Sequence, residues 1–195
     1  MGLPRHFLKW GTKMRLTLML AAVAATTAFA TQAVAQAAPL ATVNTSAKAR
    51  GVVLQPLTLT KLSDLDFGWV ISTNAAGNVA IDADTGARTV GGGVAAVAGR
   101  NGGRAVFAGA GTSGNQVLLS LNPATVLTST SNASDTINVN LMTLDNCATA
   151  PCLSSTRTID NSGTFSVGVG GDFAIAAQQP NGVYEADFDL TAVYQ

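Results

Sequence analysis

Histidine is almost missing from this sequence: the 195-residue chain holds one, His6. Past the first turn of residues there is none, which excludes a Ser-His-Asp or Cys-His arrangement and a histidine-based zinc site from the rest of the chain. Charge is sparse as well, at 11% of residues, with 11 basic side chains against 11 acidic ones. Lys and Glu are few, while Gly, Ala, Val, Thr, Ser and Asn abound, a composition opposite to that of long helices. Long apolar runs are also lacking. The one continuous stretch, Leu16 to Ala25, falls short of the roughly 20 residues that a membrane-spanning helix needs. With only two cysteines and no usual reactive constellation, the chain reads as a non-enzyme with no cofactor and no metal.

That short apolar stretch has a different reading. Arg5, Lys9, Lys13 and Arg15 precede it, and Ala28-Phe29-Ala30 and Ala33-Val34-Ala35 follow. A basic head, a short apolar core and an A-x-A site form a secretory signal peptide. Residues 1–35 are assigned to it, with cleavage after Ala35 and alternatives at Ala30 and Ala37, and with Met14 as an alternative start. The export expected from this runs to the periplasm, cell surface or medium. Cleavage removes four of the 11 basic residues and leaves all 11 acidic ones, so the net charge becomes 7 − 11 = −4. An acidic chain lacks the basic patch that nucleic acid or anionic lipid requires.

Residues 36–49 are small, polar and weakly patterned, an extended N-terminal arm. From residue 50 to 195 short apolar runs recur at intervals of about 8–12 residues, the spacing of a sandwich. Val53, Leu57 and Leu59 share a face, and Pro56, which lacks an N–H, places that strand at an edge. Further strands are expected at 65–72, 78–82, 87–90, 104–110, 116–121, 136–144, 164–169 and 173–177. Ala83-Asp84-Thr85-Gly86 makes a hairpin turn. In 136–144 the inward set is Ile137, Val139 and Leu141. Residues 182–195 read as one strand, with Tyr184, Ala186, Phe188, Leu190, Ala192 and Tyr194 on one face and Glu185, Asp187, Asp189 and Thr191 on the other. The expected fold is all-β, an Ig-like antiparallel β-sandwich of about seven to nine strands.

Candidate chemistry is thin. Cys147 and Cys152 lie five apart, and in an exported chain they pair in a local disulfide that clips a hairpin loop, contributing on the order of 2 kcal/mol. Gly109-Ala110-Gly111-Thr112-Ser113-Gly114 fits G-x-G-x-x-G, yet it leads into a strand where a dinucleotide site needs a helix. Asp82-Ala83-Asp84-Thr85-Gly86 opens like a calcium loop but lacks the closing ligands, so it reads as a turn. Asp64 with Asp66, and Glu185 with Asp187 and Asp189, read as solvated faces of strands. Trp69, on an early strand, is expected in the core, with a ligand-stacking role as the alternative.

Three pieces then combine: Pro56-Leu57-Thr58-Leu59-Thr60 running on to Leu65-Asp66-Phe67-Gly68; Val79-Ala80-Ile81-Asp82-Ala83-Asp84-Thr85-Gly86; and Val167-Gly168-Val169-Gly170-Gly171-Asp172-Phe173 with Gly182-Val183-Tyr184 and Thr191-Ala192-Val193-Tyr194-Gln195. Together they resemble the DUF4402 family of exported bacterial β-sandwich proteins, from about residue 50 to the end. The resemblance carries no catalytic residue. It implies a fimbrial-type structural subunit whose partners are its own copies or related pilins, with a periplasmic chaperone and usher. Such a sandwich lacks one strand, and the arm of the next subunit supplies it. The donor arm would present Ala41, Val43, Thr45 and Ala47. The acceptor groove would be lined by Tyr184, Phe188, Leu190 and Tyr194. A second expectation is a monomeric secreted or periplasmic binding module, complete in itself, with recognition on loops such as 99–104 or the disulfide loop.

Overall fold

The computed structural model describes residues 44–195. The chain divides into two units, Met1–Ala49 and Arg50–Gln195. Of the first, residues 44–49 are exposed and carry no regular structure. The expected signal segment and the arm positions Ala41 and Val43 lie outside the described residues. The second unit runs through eleven strands with no helix among the described residues: β1 (Thr58–Ser63), β2 (Val70–Ile81), β3 (Arg88–Ala96), β4 (Ala105–Ala110), β5 (Gln116–Asn122), β6 (Val126–Ser129), β7 (Thr136–Leu144), β8 (Ser154–Thr158), β9 (Thr164–Ile175), β10 (Tyr184–Glu185) and β11 (Asp189–Tyr194).

These strands form two antiparallel sheets, so the fold is an all-β sandwich. The larger has the order β1-β4-β9-β7-β6-β10, with the β2–β3 hairpin joined to it through β9; the smaller is β11-β5-β8. β9 is the spine. Its first half, Thr164 to Val169, pairs with β4, and its second half, Gly171 to Ile175, pairs with β2 on the same side. β7 pairs along its other side. One strand can serve both because it bends, and its glycines permit the bend. A Cβ at Gly168 would meet Ala83 O at 2.5 Å, and one at Gly170 would meet Ile81 O at 2.4 Å. The β2–β3 turn therefore lies directly on the β9 backbone, an approach that any side chain would block.

The bent sheet creates two apolar clusters. The larger sits between the sheets, where β4 and β9 give Ala105, Phe107, Phe165, Val167 and Val169, and β5 gives Val117, Leu119 and Leu121. The smaller collects Val79, Val94, Ile137, Phe173 and Ile175 in the curl of the large sheet. Burying each such side chain stabilises the fold by about 1.5–3 kcal/mol relative to leaving it in water.

A bulge between Val139 and Leu141 adds a residue to β7 and flips the alternation. Met142 and Leu144 are therefore buried while Leu141 is only half-buried. The expected strands at 164–169 and 173–177 are one strand. β6 and β8 were not expected: Ser154-Ser155-Thr156-Arg157-Thr158 has no apolar residue to betray it.

One flank of the sandwich is closed. The chain crosses from β7 to β8 there, Cys147 and Cys152 are joined in a disulfide, and Leu144 N–H donates to Cys152 O at 3.0 Å. Beneath it Asp145, 7% exposed, accepts at Oδ1 from Arg157 Nη2 at 2.7 Å, and Arg157 Nη2 also donates to the Asp145 carbonyl. Removing one partner of such a pair strands the other charge. Arg157→Leu is expected to cost about 3–5 kcal/mol in urea unfolding, and Asp145→Leu added to it to recover a large part of that loss. A single-mutant cost under about 1 kcal/mol would mean that the pair behaves as a surface bridge.

The turn into β9 gives a second test. Asp160 Oδ1 accepts from the Ser162 hydroxyl at 2.6 Å and from Thr164 N–H at 2.8 Å, and Oδ2 accepts from the Thr164 hydroxyl at 2.9 Å. These donors, the Ser162 hydroxyl first, hold its carboxyl down to about 2. A lowered folded value means that the contribution is complete above the unfolded value of about 3.9. It is lost as pH falls through about 2. An NMR titration of the Asp160 carboxyl should have its midpoint near about 2; an ordinary carboxylate midpoint would show that the turn is open in solution.

Candidate strand-accepting flank

Among the described residues the opposite flank is open. It lies between β1, one edge of the large sheet, and β11, one edge of the small one, and among the described residues neither pairs with a second strand. Among the described residues no backbone hydrogen bond joins β1 to β11. Each edge presents the same combination of groups.

On β11, Gln195 N–H donates to Gln116 O at 3.0 Å, which fixes the phase of the ladder with β5. Antiparallel pairing alternates, so Asp189, Thr191 and Val193 bond to β5, and Leu190, Ala192 and Tyr194 turn their N–H and C=O outward. The side chains of those same three residues point inward and stay half-buried against the main cluster. β1 alternates in the same way. Gly111 N–H donates to Gly163 O, so Ala110 and Ala108 serve β1 through Thr58 and Thr60. Leu59 is left with an outward backbone and an inward, half-buried side chain, and half-buried Leu57 precedes it. The flank thus offers two rows of unpaired backbone groups over a strip of partly covered apolar side chains.

Of the expected groove residues, Phe188, Leu190 and Tyr194 meet on this flank. Phe188 packs edge-on against Phe107, ring centroids 6.1 Å apart. Tyr184 does not join them. The expected single strand over 182–195 breaks after Glu185 into β10 and β11, which belong to different sheets. Tyr184 instead packs on the smaller cluster, and its hydroxyl donates to Pro180 O at 2.7 Å. Regular alternation hides such a break, because both halves keep the same parity. Of the expected donor positions, Thr45 and Ala47 are exposed.

The flank is pinned at one end. The Tyr194 hydroxyl donates to Gln55 O at 2.8 Å and accepts from Thr112 N–H at 2.8 Å. There a Cβ on Gly111 would meet that hydroxyl at 2.3 Å, so the G-x-G-x-x-G run is a tight corner under Tyr194. Leu57 and Gln55 went unnoticed in the sequence as parts of the site; the alternation Gln55, Leu57, Leu59 past an edge-marking Pro56 was the available signal.

The remaining candidates resolve simply. Asp82 Oδ1 accepts from Thr85 N–H and hydroxyl, both at 2.7 Å, and these bonds, the hydroxyl first, hold its carboxyl below the ordinary range. The loop is a self-satisfied turn. Glu185, Asp187 and Asp189 are exposed. Trp69 is a correction: expected in the core, it is 60% exposed. The residue inserted there is Phe67, whose ring lies 4.4 Å from that of Phe173, and Gly68, at φ 73°, turns the chain so that Trp69 faces out.

A two-sheet antiparallel sandwich with one covalently closed flank and one open flank is the class that these features define. Residues 57–194 match the family described as Domain of unknown function (DUF4402), and the chain belongs to that family. No curated protein and no solved structure matches it.

Tyr194→Phe is expected to destabilise the fold by about 1–3 kcal/mol, since Thr112 N–H loses a part-buried acceptor. It should also speed hydrogen exchange at the Thr112 amide. Unchanged exchange at Thr112 would mean that the corner is held by packing alone.

Proposed function

We propose that this protein is an exported structural subunit of a fimbria-like surface filament, and that it assembles by strand exchange. Residues 37–49 of one copy enter between β1 and β11 of the next. The observation that carries this reading is the open flank, with outward backbone groups on Leu59, Leu190, Ala192 and Tyr194 and half-buried side chains on the same residues. An added strand would use the backbone groups for affinity and set its alternate side chains on the apolar strip. Ala41, Val43, Thr45 and Ala47 share the inward phase of such a strand. Their small size fits a strip already partly filled by Leu57, Phe188 and Leu190. The role is structural, so no catalytic residue, cofactor or metal is assigned, and the partners are copies of the chain or related subunits, with a chaperone and usher to deliver them. Exposed Trp69 favours a second reading, a self-complete binding module working as a monomer.

The two readings separate in solution. Size-exclusion chromatography with light scattering, on protein recovered from the periplasm, should show assemblies or chaperone-bound species that vanish when residues 36–49 are deleted. Ala192→Lys, which sets a charge on the strip, should give the same loss in protein that still melts cooperatively. A monodisperse monomer with and without residues 36–49 would sink strand exchange.

A further inference from the structure

A second surface, at the start of the β2–β3 hairpin, is built with more care than folding requires. Arg88 Nη1 donates to three carbonyls, Phe67 O at 3.3 Å, Trp69 O at 3.2 Å and Arg100 O at 2.8 Å. Its Nη2 donates to Asn101 Oδ1 at 3.2 Å. Trp69 N–H donates to Arg100 O at 3.0 Å, Val97 N–H donates to Trp69 O at 3.0 Å, and Asp66 and Gly103 exchange both backbone bonds, at 2.9 and 2.7 Å. The two loop segments are drawn so close that a Cβ at Gly102 would lie 2.1 Å from Asp66 O. Phe67 anchors this clamp from below in the smaller cluster.

What the clamp holds out is Trp69. A tryptophan 60% exposed forgoes much of the burial energy that the residue offers, so its rigid placement is not explained by stability. The Arg100 guanidinium lies over one face of the indole, 4.6 Å from the ring centroid, and so fixes its tilt. With that face covered, the exposure comes from the opposite face and the ring edge. Trp69 forms part of the wall of an open concavity of about 630 Å³, together with Asp64, Asp66, Asn101 and the backbone of Gly102 and Gly103. Asn101 is shared with a neighbouring concavity of about 440 Å³ that continues along Arg88 and Val90.

We propose that this face binds a neutral glycan chain, with Trp69 as the platform for one sugar ring. A pyranose has an apolar face of C–H groups and a rim of hydroxyls. It matches a single aromatic plate ringed by carboxylates, an amide and a guanidinium. Asp66 Oδ1 accepts from Gly68 N–H at 2.7 Å, which orients the carboxylate and leaves Oδ2 to accept from a sugar hydroxyl. The larger wall carries Asp64 and Asp66 with Arg100 and Arg104; Asp64 is paired with Lys61 at 2.5 Å, and the Arg104 and Arg88 guanidinium groups are held by backbone carbonyls. Trp69 is the single large apolar side chain lining the larger concavity, which gives an apolar peptide one anchor where such partners use several. Two adjoining concavities suit a chain of sugars over a single one. The clamp also removes the cost of ordering the loop on binding.

The test uses protein recovered from the periplasm and carrying Trp10→Phe, so that Trp69 is the sole indole wherever the leader is cut. It is titrated with cellohexaose, xylohexaose, mannohexaose and chitohexaose, and also with a hexagalacturonate and a proline decapeptide. At least one neutral hexasaccharide should shift Trp69 emission saturably. By calorimetry Trp69→Ala should weaken that sugar at least about tenfold, with the melting temperature unchanged, and Asp64→Asn should weaken it less. Deleting residues 36–49 should leave binding intact, so this site and strand exchange fail separately. Binding by none of the four neutral sugars, binding that survives Trp69→Ala, or binding confined to the acidic sugar or the peptide would overturn the proposal.

Discussion

Everything in this fold depends on how closely the β2–β3 turn can approach β9. Gly168 and Gly170 let Ile81 and Ala83 rest against the β9 backbone, and the strand can then change partners from β4 to β2 along one side. Side chains at either position would push the hairpin away and flatten the sheet. The sheet curls instead, and the curl divides the apolar residues into one cluster facing β5 and another enclosed by the sheet itself. The hairpin base that carries Trp69 is placed by the same curl, because Phe67 enters the second cluster.

The two flanks are treated in opposite ways. A disulfide, a chain crossing and the Asp145–Arg157 pair close the β7–β8 side. Among the described residues the β1–β11 side is pinned at its end by Tyr194. Natural sheets protect their edges with charges, bulges or covering segments. β1 has a bulge between Lys61 and Ser63 and a lysine beside it, while β11 has neither. Past Asp189 this edge carries inward Leu190, Ala192 and Tyr194 with no charge, bulge or covering segment among the described residues, and the proposed assembly rests on it.

Much of the architecture could be read from alternation. β4, β5 and β11 follow the parity of their apolar residues, and the turn at Asp82–Gly86 follows from its Asx chemistry. What stayed hidden has physical causes. A polar edge strand such as β8 has no hydrophobic period, because its pairing energy lies in the backbone. The β7 bulge and the break at Ala186 leave no mark on composition. The pattern of Leu65–Ser72 predicts an unbroken strand with Trp69 inward, whereas Gly68, at φ 73°, turns the chain and interrupts it. The candidate flank was half legible: Phe188, Leu190 and Tyr194 came from their shared face, but Leu57 and Leu59, on the other sheet, could be joined to them only in three dimensions.

The claim at the centre is that the β1–β11 flank receives a strand from another copy. Hydrogen exchange on assembled protein and on protein lacking residues 36–49, read at single amides, tests it most directly. Amides of Leu59, Leu190, Ala192 and Tyr194 should be protected in the assembly and exchange freely in the truncated chain, while Thr191 and Val193, already bonded to β5, should be slow in both. Equal, fast exchange of the four outward amides in both samples would contradict strand insertion at this flank.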